Sequence, residues 1–287
     1  IIESMKMEHV IAAPAAGQVR ALAVQPGETV FEGQRLLSIE TDDSVGEHVG
    51  EQEDVDLDEI RPDLADVLRR QAFTHDSARP EAVAKRHQAG LRTARENIED
   101  LCDEGSFIEY GSLVFAARRA RNTVDELIRR TPADGLVMGI GHVNGSLFGE
   151  EVSRVVAMSY DYMVLAGTQG KKNHAKKDRM FELAAQWKLP VVIFTEGGGG
   201  RPGDTDQIFA ANLHTTAFSL FAKLSGAVPL VGIASGRCFA GNAVLLGCCD
   251  VIIATKNSSI GMGGPAMIEG GGLGVGHPDE VGPIDVQ

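Results

Sequence analysis

A short apolar run followed by four consecutive glycines constrains this chain more than any other stretch of its sequence. Val191–Phe194 is apolar and mostly β-branched, which predicts a strand buried on both faces. Gly197–Gly200 lack Cβ atoms, so the main chain can bend sharply and bring its N–H groups close to a ligand. Pro202–Asp206 then supply the proline and carboxylates typical of a helix start. A strand followed by a bend and a helix N-terminus favours the binding of an anion, either a phosphate or an oxyanion formed during a reaction. A surface linker is the alternative.

The composition indicates a globular enzyme. The chain has 287 residues, of which 43% are hydrophobic, and its mean hydropathy is −0.05. No run approaches the ~20 apolar residues of a membrane span, and no signal-peptide pattern begins the sequence, so we expect a cytoplasmic location and no membrane partner. The four cysteines lack metal-type spacing and are expected to be buried thiols. We predict no metal site.

The acidic charge is concentrated in one segment. The net charge is −13, and residues 41–60 contain nine Asp and Glu residues and no Lys or Arg. The remaining residues therefore carry about −4 together. A segment of this kind predicts an extended linker, here between residues 1–40 and residues 61–287. Nucleic acid is not an expected partner.

A lysine between two methionines marks the first piece. Alternating apolar residues and glycine turns predict short antiparallel strands in residues 1–40. Residues 3–9 (Glu-Ser-Met-Lys-Met-Glu-His), followed by Ala13-Pro14 and Gly17, resemble the biotinyl domain of biotin-dependent carboxylases. The resemblance implies that Lys6 lies at a hairpin tip and carries biotin through an amide bond. A lipoyl carrier and a solvated turn lysine are the alternatives. Forty residues are about half of such a domain, too few to bury a core alone.

Residues 61–287 alternate between strand-like and helical patterns. Helical patterns cover about 62–70, 80–101, 178–187, 209–224 and 239–246. Strand-like runs cover 135–143, 147–150, 152–159, 163–166, 191–194, 230–233 and 251–254. Repeated strand-then-helix units predict an α/β fold built on a parallel sheet.

Several motifs of this piece resemble the carboxyltransferases of acyl-CoA carboxylases. They are Arg95-Glu96-Asn97-Ile98, Asp103–Glu109, Val137–Gly145, Gly197–Arg201, Gly236–Gly241 and Gly264-Pro265. In the family's Gly-Gly-Ala-Arg turn, Gly200 replaces the alanine. The resemblance implies a crotonase-type fold (the ClpP/crotonase class), with two such domains per subunit, of which this chain holds the N-terminal one.

The same resemblance implies a mechanism. Carboxybiotin releases CO2, a biotin nitrogen takes the α-proton of the acyl-CoA, and the resulting enolate attacks CO2. Backbone N–H groups hold the enolate oxygen, and losing one such donor typically costs ~3 kcal/mol. By motif position the predicted donors are Gly199 and Gly200. Gly241 is a weaker candidate, for which close helix packing is the alternative.

Acyl-CoA carries three phosphates, for which Lys and Arg are the expected partners. The sequence of this piece contains one dense basic group, in which Asp178 is the sole acid: Lys171, Lys172, Lys176, Lys177 and Arg179. We expect this group to meet the nucleotide end of coenzyme A; a solvated helix face is the alternative. Arg201 either orients a phosphate or carboxylate or anchors its own loop.

Three functions are compatible with the sequence. The favoured one is a piece of a biotin-dependent acyl-CoA carboxylase, a carrier joined to half of a carboxyltransferase. A biotin-dependent decarboxylase and an inactive carrier module that only binds coenzyme A are the alternatives. The family further implies a biotin carboxylase, a biotin protein ligase and a homo-oligomer as partners. The acyl chain length cannot be predicted.

Overall fold

The computed structural model describes residues 1–41, 56, 58–206, 215–277 and 280–287. The chain divides into two compact units, Ile1–Arg61 and Pro62–Gln287. Most of the predicted acidic linker lies outside the described residues. No described helix is long and apolar enough to cross a membrane.

The smaller unit consists of two antiparallel strand pairs. These are β1 (Ile2–Ser4) with β2 (Met7–His9), and β3 (Gly17–Leu22) with β4 (Leu37–Thr41). Met5 and Lys6 join β1 to β2 with φ of 53° and 65°. Two central residues with positive φ are the mark of a type I′ hairpin turn. No side chain of residues 1–41 is buried, which agrees with the expectation that this piece is too small for a core.

The larger unit contains ten described helices and eight described strands. The helices are α1 (Pro62–Ala72), α2 (Pro80–Gln88), α3 (Ala94–Leu101), α4 (Val124–Arg130), α5 (Gly145–Phe148), α6 (Glu150–Ser153), α7 (Lys171–Trp187), α8 (Ala217–Leu224), α9 (Gly241–Gly247) and α10 (Pro265–Gly270). The strands are β5 (Ile108–Glu109), β6 (Leu136–His142), β7 (Arg154–Tyr160), β8 (Val191–Phe194), β9 (Leu230–Ala234), β10 (Arg237–Phe239), β11 (Val251–Ala254) and β12 (Ser259–Gly261).

Six of these strands form one mixed sheet in the order β11-β9-β8-β7-β6-β5. Strands β7, β8, β9 and β11 are parallel, whereas β5, β6 and β7 pair antiparallel. The predicted α/β fold is confirmed, but the prediction of a parallel sheet is right only for its second half. The first half is antiparallel: only the two four-residue helices α5 and α6 join β6 to β7, without the long crossover that parallel strands need. Strands β10 and β12 form a separate parallel pair.

The core lies between the sheet and helices α7 and α8. Val191 and Ile193 of β8 are fully buried, while Val192 and Phe194 are half-buried, so the strand is not enclosed on both faces as predicted. Phe181 of α7 and Phe221 of α8 pack with their ring centroids 4.7 Å apart. Burying one such side chain contributes roughly 1.5–3 kcal/mol, so this contact holds α7 against α8.

Local signals explain where the predicted elements are wrong. The predicted helix over 80–101 breaks at Gly90, whose φ is +71°, and restarts at Thr93 with a capping box to Glu96. The predicted strand over 147–150 is instead α5 and the start of α6, which follow a left-handed Asn144. Residues 163–166 run into a 3₁₀ turn rather than a strand.

The four cysteines form no disulfide. Cys102 and Cys238 are buried as predicted, and the other two are half-buried. Burial raises the pKa of the Cys102 thiol to about 11 and that of Cys238 to about 12. Both thiols are therefore protonated and unreactive near neutral pH.

Candidate active site

Three of the four main-chain N–H groups in the glycine turn are engaged within the protein. Gly197 donates to the Arg237 carbonyl at 2.8 Å, and Gly198 donates to the Ala166 carbonyl at 3.0 Å. Gly199 donates to Asn242 Oδ1 at 3.1 Å. The prediction that Gly199 supplies a free donor therefore needs correction, because a buried side-chain oxygen already takes its N–H.

Gly200 is different. Gln169 donates its main-chain N–H to the Gly199 carbonyl at 2.7 Å and accepts from the Arg201 N–H at 2.9 Å. In a planar trans peptide the carbonyl and the N–H point in opposite directions, so the Gly200 N–H points away from Gln169. No acceptor for it occurs among the described residues, and a Cβ built at Gly200 would meet no atom within 4 Å. Gly200 is thus exposed, and the Gln169 main chain fixes the direction of its N–H.

Helix α9 begins beside this bend. A Cβ built at Gly199 would lie 2.6 Å from the Ala240 Cβ and 3.5 Å from the Gly241 nitrogen. Gly241 is the first residue of α9, and its N–H has no recorded acceptor in the described part of the chain. A Cβ at Gly241 would lie 3.1 Å from both Gln169 and Phe218 side-chain atoms, which is the close packing given as its alternative role.

The predicted helix start after the glycines is not observed in its described part. Residues 201–206 form turns, and residues 207–214 lie outside the described residues. Asp204 instead accepts from the Lys171 N–H at 2.9 Å and so caps α7. Asp206 accepts from the Arg119 side chain at 2.8 Å. The carboxylates thus tie the end of the turn to two other elements.

Arg201 anchors its loop. Its side chain is 2% exposed and forms an ion pair with the fully buried Asp134. Its Nη2 also donates to the Thr168 carbonyl at 2.8 Å. Burial raises the pKa of Asp134, and the Arg201 cation opposes that rise. Of its two predicted roles, the structure supports the anchor, since the guanidinium is enclosed.

The basic group of α7 divides between the surface and the interior. Lys171, Lys172 and Arg179 are exposed or half-buried. Lys176 is buried, and its Nζ donates to the Ala133 and Leu136 carbonyls at 2.7 Å each. Lys177 is fully buried. The expectation that Lys176 and Lys177 contact phosphate is therefore wrong, because both point into the core.

A cleft of about 630 Å³ lies next to the glycine turn. Its floor includes Glu196, the residue before Gly197, which Arg86 of α2 binds through two hydrogen bonds of 2.6 and 2.9 Å. Burial raises the pKa of the Glu196 carboxyl, and Arg86 counteracts this. The rim carries the exposed side chains of Lys85 and Lys256. Neither lysine has an ion-pair partner among the described residues. The cleft thus joins a cationic rim to the start of the glycine turn.

The sequence analysis missed Lys85, Arg86, Glu196 and Lys256. One signal was present: Glu196 directly precedes the glycines, and a carboxylate at the end of a buried strand requires a partner. Lys6 lies in the smaller unit, exposed at the tip of the β1–β2 hairpin. An exposed lysine amine on a tight hairpin fits covalent attachment of a carboxylate-bearing cofactor. No group of His, Cys, Asp or Glu in the described ranges is arranged to hold a metal.

Two protein families match the two units. The family model of the carboxyl transferase domain matches residues 85–275. The family model described as biotin-requiring enzyme matches residues 1–42.

Relatives agree with these matches. The propionyl-CoA carboxylase beta chain of Saccharopolyspora erythraea is 34% identical over 181 residues, which cover 63% of this chain and 31% of the relative. A single-chain, multi-domain long-chain acyl-CoA carboxylase aligns with a TM-score of 0.76 and 55% identity over 99% of this chain and 26% of its own. The transcarboxylase 12S hexamer, crystallised with methylmalonyl-coenzyme A, aligns with a TM-score of 0.63 and 26% identity over 78% of this chain and 42% of its own. This chain spans about a third of the curated relatives that it matches.

Proposed function

We propose that this chain, which belongs to the carboxyl transferase family, carries biotin on Lys6 and the acyl-CoA half of a carboxyltransferase site at its glycine turn. The proposed reaction moves a carboxyl group to the α-carbon of an acyl-CoA. The observation that carries the proposal is the N–H of Gly200, which has no acceptor among the described residues and whose direction Gln169 fixes.

The residues of the turn perform a defined task in this reaction. Removing the α-proton of a thioester places negative charge on the thioester oxygen. A main-chain N–H that is already oriented toward that oxygen stabilises the charge without reorganising, and each such donor contributes ~3 kcal/mol. We assign this role to Gly200, with the Gly241 N–H as the candidate second donor. Gly199 shapes the bend, since its own N–H is bound by Asn242. Biotin, when bound, supplies the carboxyl group and the nitrogen that takes the proton.

The cleft is the proposed site for coenzyme A. Lys85 and Lys256 supply unpaired positive charge at its rim, and phosphates are their natural ligands. Arg86 and Glu196 neutralise each other within the cleft lining. We therefore propose that the nucleotide end binds at the cleft rather than on α7. Lys171, Lys172 and Arg179 remain the alternative phosphate contacts.

The coenzyme A assignment is tested by titrating CoA into the chain by calorimetry. The double variant Lys85→Glu, Lys256→Glu should weaken binding about tenfold or more, because two attractive charges become repulsive. The matched double variant Lys171→Glu, Lys172→Glu makes the same charge change on α7 and should bind CoA like the wild type. The opposite pattern would return the phosphates to α7.

The carrier assignment predicts that Lys6 is the sole biotinylated residue. After co-expression with a biotin protein ligase, streptavidin blotting should label the wild-type chain and not the Lys6→Arg variant, which keeps the charge but cannot form the amide. Lys85→Arg is the matched control and should stay labelled. Label on the Lys6→Arg chain would reject the assignment.

The complete enzyme is proposed to need further parts. A biotin carboxylase would load the carrier and a biotin protein ligase would modify it. Assembly of carboxyltransferase domains into a homo-oligomer is likewise proposed, by analogy with the 12S hexamer. A cytoplasmic location remains a prediction of the sequence.

A further inference from the structure

A buried polar network connects a lysine of α7 to the main chain of the glycine turn. Lys177 Nζ donates to the Tyr160 hydroxyl at 2.8 Å and to Gln169 Oε1 at 2.6 Å. Gln169 Nε2 donates to Asn242 Oδ1 at 3.0 Å, and the Gly199 N–H donates to that same oxygen at 3.1 Å. Lys177 and Asn242 are fully buried, and Gln169 is 3% exposed. We call Lys177, Gln169 and Asn242 the buried polar network.

The network has a direction that its lysine sets. A side-chain amide accepts through its oxygen and donates through its nitrogen, and it can turn either group toward a neighbour. The Lys177 amine donates to the Gln169 oxygen, and the Gln169 nitrogen on the other side of the amide faces Asn242. Asn242 must then present its own oxygen, which leaves that oxygen within reach of the Gly199 N–H. The Asn242 nitrogen points the other way, 3.4 Å from the Gly167 carbonyl.

A reversal of this order is costly because the network is buried. An unpaired amide group in the interior costs roughly 1–3 kcal/mol. If Asn242 turned over, its NH₂ group would face the Gly199 N–H, and two donors would oppose each other. Gly199 would lose its acceptor and the bend would relax. The next peptide, whose N–H is that of Gly200, would change direction with it.

Gln169 couples the network to that peptide directly. Its side chain belongs to the network, while its main chain holds the Gly199 carbonyl and the Arg201 N–H. If the Gln169 side chain moves, its main chain moves with it. The two main-chain hydrogen bonds that fix the direction of the Gly200 N–H then shift as well. A Cβ at Gly241 would lie 3.1 Å from Gln169 Nε2, so the same side chain also borders the second candidate donor.

Burying the Lys177 amine costs free energy of desolvation. Full burial holds the pKa of the Lys177 amine well below its ordinary value. Its amine contacts no residue lining the cleft. An apolar residue would serve packing better, which indicates that the amine is kept for the hydrogen bonds that it donates.

We propose that Lys177 is a positioning residue that, through Gln169 and Asn242, fixes the direction in which the Gly200 N–H points. The inference rests on the proposed function of Gly200. It assigns no substrate contact to the network.

Two variants test the direction of the network. Gln169→Glu keeps a partner for Lys177, and so preserves the core, but has no N–H for Asn242, which must then turn over. Lys177→Met keeps the length of the side chain and removes its donor. Lys176→Met is the matched control, since it removes the neighbouring buried amine, which belongs to other contacts.

The readouts are the NMR hydrogen-exchange rate of the Gly199 amide and the ¹³C carbonyl shift of bound acetyl-CoA labelled at the carbonyl. In Gln169→Glu and Lys177→Met the Gly199 amide hydrogen should exchange about tenfold faster, and the downfield carbonyl shift should be lost. The dissociation constant for acetyl-CoA should change less than about twofold. Lys176→Met should leave exchange and shift as in the wild type. Wild-type exchange and shift in both network variants would overturn the inference alone. A wild-type chain without a downfield shift, or one whose shift survives Gly200→Pro, would overturn the proposed function and the inference with it.

Discussion

Adjacent glycines in the turn have opposite requirements. Gly199 has a φ of +83°, and a Cβ there would lie 2.6 Å from the Ala240 Cβ. Gly200 has no such φ, and a Cβ there would meet only open space. The alanine found at the Gly200 position in the carboxyltransferase turn is compatible with this geometry. The sequence identified both residues, but a run of four glycines cannot show which N–H lacks an acceptor. The side chain that accepts from the Gly199 N–H belongs to Asn242, 43 residues after Gly199.

The difference predicts unequal stability. Gly199→Ala should lower the free energy of unfolding by about 1–3 kcal/mol, because the new methyl group overlaps Ala240 and the backbone is strained. Gly200→Ala should change it by less than about 0.5 kcal/mol. Urea denaturation of both variants measures this. Equal losses in the two would contradict the described geometry.

Helix α7 shows what the sequence could and could not reveal at the scale of one element. Its buried residues follow the three-to-four spacing of a helix face: Asn173, Lys176, Lys177, Met180, Phe181, Leu183 and Ala184. That spacing was visible in the sequence, and it places two lysines of the basic group inside. The start of α7 was predicted seven residues too late, since its caps come from distant chain. Asp134 accepts from the Asn173 N–H and Asp204 from the Lys171 N–H.

Lys176 makes the stability of this element depend on pH. Burial lowers its pKa to about 8 from an ordinary 10.5. Between these values the unfolded chain holds a proton that the folded chain does not, so the contribution of Lys176 to stability rises as pH rises from 8 to 10.5. The neutral amine still has two N–H groups for its two carbonyl acceptors. The wild type should therefore gain stability relative to Lys176→Met between pH 8 and pH 10 in urea titrations. A difference that stays constant with pH would contradict the burial of this amine.

At the scale of the whole molecule, the carrier lysine and the glycine turn were recognisable because each is a short local motif. The cleft was not. Lys85 and Lys256 are 171 positions apart in the sequence and reach one rim only through the fold. The Arg86–Glu196 pair likewise joins α2 to the end of β8 across 110 positions. Local patterns thus predicted the chemistry, whereas the proposed coenzyme A cleft could be found only in the tertiary structure.

The most direct test of the central claim removes the Gly200 N–H from the turn. Gly200→Pro deletes the donor, whereas Gly200→Ala keeps it and fills only open space, so the two variants form a matched pair. Each is saturated with acetyl-CoA labelled with ¹³C at the carbonyl, and thermal melting checks that both remain folded. The account predicts a downfield carbonyl shift in the wild type and in Gly200→Ala, and its loss in folded Gly200→Pro. An unchanged downfield shift in folded Gly200→Pro would show that this amide does not hold the thioester oxygen.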